Sequence, residues 1–251
     1  MEPMASVDEI APDIFRISTW IPDITPDGFT FNQFLVRADE PLLFHCGHRG
    51  LFPQVAEAVA KIDPVESLRW ITFGHVEADE CGSMNMWLTA APDSQVAHGA
   101  LGCMVSLNDL CDRPPRPLAE GEVLDIGGKR LRQISTPHVP HGWEAQVLFD
   151  ETTRTLFCGD LFTQMGEGPA IVHDADLIQP AIDAEDLFGA TALTARTAPT
   201  LRMLAELEPR TLALMHGPAY AGDGRQALLD LADVYEQRLR ASIELATGGA
   251  A

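Results

Sequence analysis

Positive charge is scarce in this chain. Seventeen Lys and Arg stand against 37 Asp and Glu, a formal net charge of −20, and no run of five or more basic residues occurs. Gripping phosphates requires a basic patch, so the composition argues against a nucleic-acid partner and against an anionic membrane surface. The surplus of acid reads instead as an aid to solubility. Long apolar runs are missing as well; none approaches the ~18–20 residues that span a bilayer. The start, Met1-Glu2-Pro3-Met4, lacks the basic region and apolar stretch of a secretory leader. Cysteine shows no disulfide framework. Cys46, Cys81, Cys103, Cys111 and Cys158 are odd in number and irregularly spaced, which suits reduced thiols and a cytoplasmic location. Cys46 and Cys158 lie among apolar residues and read as packing residues.

What is present is an ordinary globular composition, 251 residues with 46% hydrophobic, enough for one large domain over residues 1–251. Strand-like patterns cover residues 10–17, 29–37, 41–46 and 68–73, with helical periodicity at residues 51–62 and 81–91. A Pro-rich connector, residues 112–120, has no place in a helix or a central strand. Beyond it, Gly127-Gly128 marks a hairpin between residues 122–126 and 129–135. Strands follow at residues 146–150 and 155–158, then a long loop over residues 162–180. Helical patterns occupy residues 183–207, a strand runs over residues 211–215, and a terminal helix covers residues 225–246. Two series of strands, each followed by helices, predict an α+β fold: two mixed sheets packed face to face with helices outside.

The densest chemistry lies in Gly74-His75-Val76-Glu77-Ala78-Asp79-Glu80-Cys81, at the switch from strand to helix. His75, Glu77 and Asp79 alternate, so an extended backbone aims all three to one side. Glu80 falls at the helix start, where the dipole favours a carboxylate. Asp160 and His216 each follow an apolar strand, and a carboxylate such as Asp160 has two oxygens with which to bridge two metals. Together with a histidine from Thr136-Pro137-His138-Val139-Pro140-His141, these residues predict a dinuclear metal site rich in carboxylate.

The order His75-x-Glu77-x-Asp79-Glu80, His141, Gly159-Asp160, His216-Gly217 resembles the metallo-β-lactamase fold, an αββα sandwich. Hydrolases of that fold carry His where this chain has Glu77. A Glu at that position is similar to the diiron domain of flavodiiron proteins and to the stand-alone oxygen-binding diiron proteins. The likeness runs from about Phe31 to His216. It implies one metal held by His75, Glu77 and His141 and another by Asp79, His216 and, in one version, Glu80, with Asp160 bridging. His141 precedes Asp160 by 19 positions, the spacing of the resembled fold, and His138 by 22; His138 stays open as a ligand or as a group that orients one. Two departures stand out. Glu80 occupies a position usually held by His, and His45 one usually held by Asp.

The resemblance implies two iron ions, with zinc and manganese as alternatives, and a ligand such as O2, NO or peroxide. Each added carboxylate suits iron or manganese better than zinc. No flavodoxin domain is expected after this one, so an oxygen reductase would be expected to draw on a separate electron-transfer protein; an O2 sensor would not. A zinc hydrolase of the glyoxalase II or lactonase kind is the alternative, and a metal-binding regulatory module is a third. Cys81, Trp143, His173 and Tyr220 are expected near the pocket, with Phe162, Met165 and the loop over residues 163–173 walling it. His45, His48 and His98 read as core or surface residues. A homodimer is expected from the relatives.

Overall fold

In a computed structural model describing residues 4–248, each half of the chain forms a seven-stranded sheet. Met1 to Pro3, part of the start that reads as lacking a secretory leader, lie outside the described residues. The first sheet contains β1 (Ser6–Ala11), β2 (Ile14–Ile21), β3 (Phe29–Val36), β4 (Leu42–Phe44), β5 (Trp70–Thr72), β6 (Gln95–Gly99) and β7 (Arg116–Leu118), in sequence order across the sheet. Between these strands run α1 (Phe52–Ala60), α2 (Ala78–Cys81), α3 (Met84–Ala90) and a helical stretch made of α4 (Ala100–Gly102), a π turn and α5 (Asn108–Leu110). The second sheet is built from β8 (Val123–Asp125), β9 (Arg130–Ser135), β10 (Gln146–Asp150), β11 (Thr155–Phe157), β12 (Ile171–Val172), β13 (Thr211–Ala213) and β14 (Ala219–Ala221), in the order β12-β14-β13-β11-β10-β9-β8. Helices α6 (Ile178–Phe188), α7 (Thr197–Ala205) and α8 (Gly224–Gly248) follow. The predicted αββα sandwich is what forms.

Three apolar layers hold it. Phe34, Phe44, Leu131, Leu148 and Phe157 meet between the sheets, with Phe157 5.1 Å from Phe44 and 5.7 Å from Phe34, ring centre to ring centre. The outer face of the first sheet buries Val55, Val59, Trp87 and Leu88 from α1 and α3. The outer face of the second buries Leu201, Leu204, Leu228 and Leu231 from α7 and α8. Fully burying one such side chain contributes about 1.5–3 kcal/mol.

The structure revises several boundaries. The pattern at residues 10–17 is two strands, because Pro12 and Asp13 turn the chain, with Asp13 at φ +59°. The Pro-rich connector supplies β7, an edge strand, where a missing N–H at Pro117 is tolerated. The helical pattern over residues 183–207 is two helices. Gly189 ends α6 in the left-handed region at φ +59°, a conformation glycine adopts without strain. Helix α6 also begins earlier than predicted, at Ile178. Pro180 lies in its first turn, where a backbone N–H has no helical partner.

Candidate metal centre

Five of the seven expected ligands, His75, Glu77, His141, Asp160 and His216, lie in loops just beyond strands, and Asp79 and Glu80 stand on α2. Beyond β5, Glu77 is extended at φ −135°, ψ 158° and caps α2. This loop is pinned from the second sheet. Gln146 accepts from the Gly99 N–H and donates to Thr72 Oγ1 and the Phe73 carbonyl, while Glu144 accepts from the Val76 N–H. Gly142, at φ +79°, passes close to His75; a Cβ there would lie 3.3 Å from the His75 Cβ.

His75, Glu77, His141 and Asp160 bring one donor atom each within 4.8 Å of one another. Glu77 Oε2 lies 2.7 Å from His75 Nε2 and 3.1 Å from His141 Nε2. Asp160 Oδ2 is 3.3 Å from His141 Nε2, and Asp160 Oδ1 faces the other way, 3.3 Å from His216 Nε2. Asp79 Oδ2 is 3.5 Å from the same His216 nitrogen. Asp160 thus presents one oxygen to each of two neighbouring half-sites. Asp79 Oδ1 and Asp160 Oδ1 are buried without a hydrogen-bond donor. Buried carboxylate atoms in that condition are costly unless a cation meets them, and this donor set fits metal ions.

The far side of each ring is fixed. His75 Nδ1 sits 3.1 Å from Glu80 Oε1, and the His75 backbone N–H donates to Glu80 Oε2 at 2.7 Å. His216 Nδ1 sits 2.7 Å from the Thr30 carbonyl. His216 donates Nδ1–H to the Thr30 carbonyl and the Glu80 carboxylate stands beside His75 Nδ1, so each ring turns Nε2 toward the metal side, the outer-partner arrangement common around metal-bound histidines. His141 Nδ1 is buried with no partner.

Glu80 is therefore not placed beside His216 in the second half-site. Adjacent residues on a helix diverge by about 100°, so on α2 Asp79 faces the metal centre while Glu80 points into the protein and is fully buried. Its Oε1 also lies 3.5 Å from His45 Nε2. The two departures from the family pattern, His45 and Glu80, thus face each other beneath His75. His45 itself is fully buried, at φ +65°, with Nδ1 3.2 Å from the Asn32 carbonyl.

Without metal the centre would hold protons. Burial opposes charge on His75, yet Glu80, Glu77 and Asp160 outweigh it and push the ring up to about 11. Burial likewise opposes charge on His216, and Asp160 and Asp79 push it up to about 10. Hydrogen bonds from His141 and His75 hold the Glu77 carboxyl well below its usual range. Metal must displace these protons to bind.

The remaining expected residues lie elsewhere. His138 is exposed, at φ +64°. Trp143 is 55% exposed. His173 is exposed with Nδ1 3.2 Å from the Ala221 carbonyl, and Tyr220 packs against the apolar layer of the second sheet. Cys81 packs against the layer on the first sheet, and burial raises its thiol to about 12. Phe162 and Met165 enter the apolar layers; Thr163 alone of that loop lines the cavity in front of the metal centre. The sequence reading missed the actual walls. They include Phe29, 4.3 Å from the His216 ring, Phe31 at 5.3 Å, His48 stacked edge-on against Phe31, and α6. One cue was available: Phe29 and Phe31 alternate on a strand, so they share one face.

Fold and donor set together define a protein of the metallo-β-lactamase class with a candidate centre of histidines and carboxylates. A family model described as ODP family beta lactamase matches residues 29–217, and the chain belongs to that family. A putative diflavin flavoprotein A 2 from Synechocystis is 26% identical over 197 residues, covering 76% of this chain and 33% of that protein. A hydroxyacylglutathione hydrolase from Acidiphilium cryptum is 30% identical over 182 residues, covering 66% and 69%. A solved flavodiiron core from Synechocystis superposes with a TM-score of 0.77 at 22% identity, over 95% of this chain and 61% of the other. The chain spans about a third of the length of the diflavin flavoproteins it matches. Among the described residues no helix is long and apolar enough to cross a membrane.

Proposed function

We propose that the protein is a non-haem diiron protein that binds O2, or a related small ligand such as NO or peroxide, and in one form of that activity reduces it. The observation that carries the reading is the position of Glu77. Its carboxylate stands between the two imidazoles of the first half-site, where a third imidazole would favour zinc. His75, Glu77, His141 and Asp160 would hold one iron, and Asp79, Asp160 and His216 the other. Bound there, the pair would supply electrons and open coordination positions to the small ligand. Phe29 and Phe31 shield His216 from water, and Glu80 and the Thr30 carbonyl keep the rings of His75 and His216 oriented. Turnover as a reductase would need electrons delivered from outside this domain.

Elemental analysis of protein grown with iron and zinc both supplied tests this, together with anaerobic reduction and O2 addition on the same sample. Iron at both half-sites and a visible band on adding O2 are expected. Zinc with a featureless spectrum would overturn the reading. The second reading, a zinc hydrolase, rests on the likeness to the hydroxyacylglutathione hydrolase. Glutathione carries two carboxylates, and no Lys or Arg is among the residues lining the cavity, which weighs against that substrate. An ester and lactone screen on the zinc-loaded protein would expose hydrolysis of other substrates.

A further inference from the structure

A diatomic ligand needs about the space of one or two water molecules, at ≈ 30 Å³ each. The cavity in front of the metal centre measures about 350 Å³, within the range of about 300–1,000 Å³ found for small organic ligands. One wall is metal-facing: Glu77, Asp79, His141, Asp160 and His216. Another is one face of α6, where Ala181, Ala184, Glu185 and Phe188 follow helical spacing and all line the space. Phe29 joins the two walls, with ring centres 4.3 Å from His216 and 5.5 Å from Phe188. The two alanines keep the space open; larger side chains there would fill it.

The polar groups of the second wall form a hydrogen-bonded chain centred on Thr191. Thr191 Oγ1 donates its single proton to Glu185 Oε2 at 2.6 Å, and the Thr191 N–H approaches both Glu185 oxygens. Thr191 Oγ1 is also placed to donate to the Tyr235 hydroxyl at 3.2 Å, so Glu185 and Tyr235 compete for one proton and the phenol O–H stays uncommitted. Glu185 thus offers the cavity a carboxylate that only accepts, and the Tyr235 hydroxyl can accept or donate. No Lys or Arg lines the space.

We propose that this cavity is a binding site for an apolar organic molecule bearing a hydroxyl or amine, with its donor end on the Glu185–Thr191–Tyr235 chain and its body against Phe29, Ala181 and Ala184. Such a molecule sits directly beside the metal-facing carboxylates, so the centre works in the presence of an organic cosubstrate or effector. An acidic molecule is disfavoured, because its charge would face the Glu185 carboxylate, and Arg238, the cation near Tyr235, is paired with Asp186. The inference does not depend on which metal is bound.

The test uses the full, metal-loaded chain and three matched probes in calorimetric titrations: 2-phenylethanol, 2-phenylethylamine and phenylmethanesulfonate, the last an anion that ligates metals poorly. The alcohol and the amine are expected to bind saturably, and the sulfonate at least about tenfold more weakly, given that each 1.4 kcal/mol is a factor of ten. Ala184→Phe is expected to abolish alcohol and amine binding while metal content is unchanged. Glu185→Gln, which leaves the packing of α6 intact, is expected to weaken the amine more than the alcohol, and it carries the test if Ala184→Phe does not fold. Failure of both the alcohol and the amine to bind would overturn the proposal, as would undiminished binding in folded Ala184→Phe, sulfonate binding as tight as the amine, or an amine unaffected by Glu185→Gln. Finding zinc instead of iron would sink the diiron reading and leave these outcomes unchanged.

Discussion

The two half-sites of the centre share Asp160 but are built differently. The first gathers four donors within 4.8 Å, and the ring of His75 is backed by a buried carboxylate, Glu80. The second has three, Asp79, Asp160 and His216, and its histidine is backed only by a neutral carbonyl, that of Thr30. A carboxylate behind an imidazole raises its basicity more than a carbonyl does. The first half-site is therefore expected to hold metal more tightly, and the second, with fewer protein ligands, to keep more coordination positions free for an exogenous ligand. The difference arises in α2. One step along that helix takes Asp79 to the second half-site and Glu80 beneath the first.

The largest effect expected is that of Asp160→Asn, which weakens both half-sites at once; metal content by elemental analysis is expected to fall toward zero. Next are two single deletions. His216→Ala leaves the second half-site with two protein ligands and should empty it while the first stays filled. His141→Ala leaves the first with three, the number the second has in the wild type, and should retain part of its metal. If His141→Ala costs as much metal as His216→Ala, the two half-sites are equivalent and the contrast fails. Glu80→Gln removes charge but keeps an acceptor for the His75 N–H. Loss of such an outer partner typically costs about 10–100-fold in metal affinity, and here the loss should fall on the first half-site alone.

Protons give a further way to sharpen the contrast. In the metal-free chain the His75 ring is held at about 11 and His216 at about 10, so both are charged at neutral pH. Both must lose a proton to bind metal, so loading should release protons and affinity should weaken as pH falls. A pH indicator in weak buffer reads the release. Glu80→Gln should lower the His75 value and reduce the release on filling the first half-site, leaving that of the second unchanged.

The legible and illegible parts of this molecule divide by the range of the signal. His75, Asp160 and His216 were legible because each follows a short apolar strand, and strand ends of one sheet sandwich converge on one edge. Glu80 was not, because its neighbours in sequence suggested a shared role, whereas the direction of a side chain on a one-turn helix depends on where that turn begins. His45 read as a core or surface residue, and nothing local pairs it with Glu80, 35 positions on; only β4 and β5 lying side by side do so. The wall on α6 was hidden for a different reason. The loop pattern extends through Pro180, although a proline in a first turn is compatible with a helix. Trp143, His173 and Tyr220 neighbour candidate ligands in sequence, yet Trp143 and His173 are exposed and Tyr220 packs on the second sheet's apolar layer.

The smallest effect concerns how the second half-site is anchored. Its histidine belongs to the loop after β13 in the second sheet, but the first sheet holds that loop. Asn32 Nδ2 donates to the carbonyls of Leu214 and Gly217, Arg16 donates to the Gly217 carbonyl, and Thr30 Oγ1 accepts from the Gly217 N–H at 2.8 Å. Thr30→Val keeps the shape and the backbone carbonyl that orients His216 but leaves the Gly217 N–H without an acceptor. An unsatisfied buried donor costs about 1–3 kcal/mol, and in a domain of this size about 1 kcal/mol moves Tm by ≈ 2–4 °C. A Tm lower by several degrees is expected, with metal at the second half-site weakened and the first unaffected, because no atom of Thr30 is within hydrogen-bonding reach of the first. Equal weakening at both would mean that Asp160 transmits the strain and that the two half-sites move as one unit.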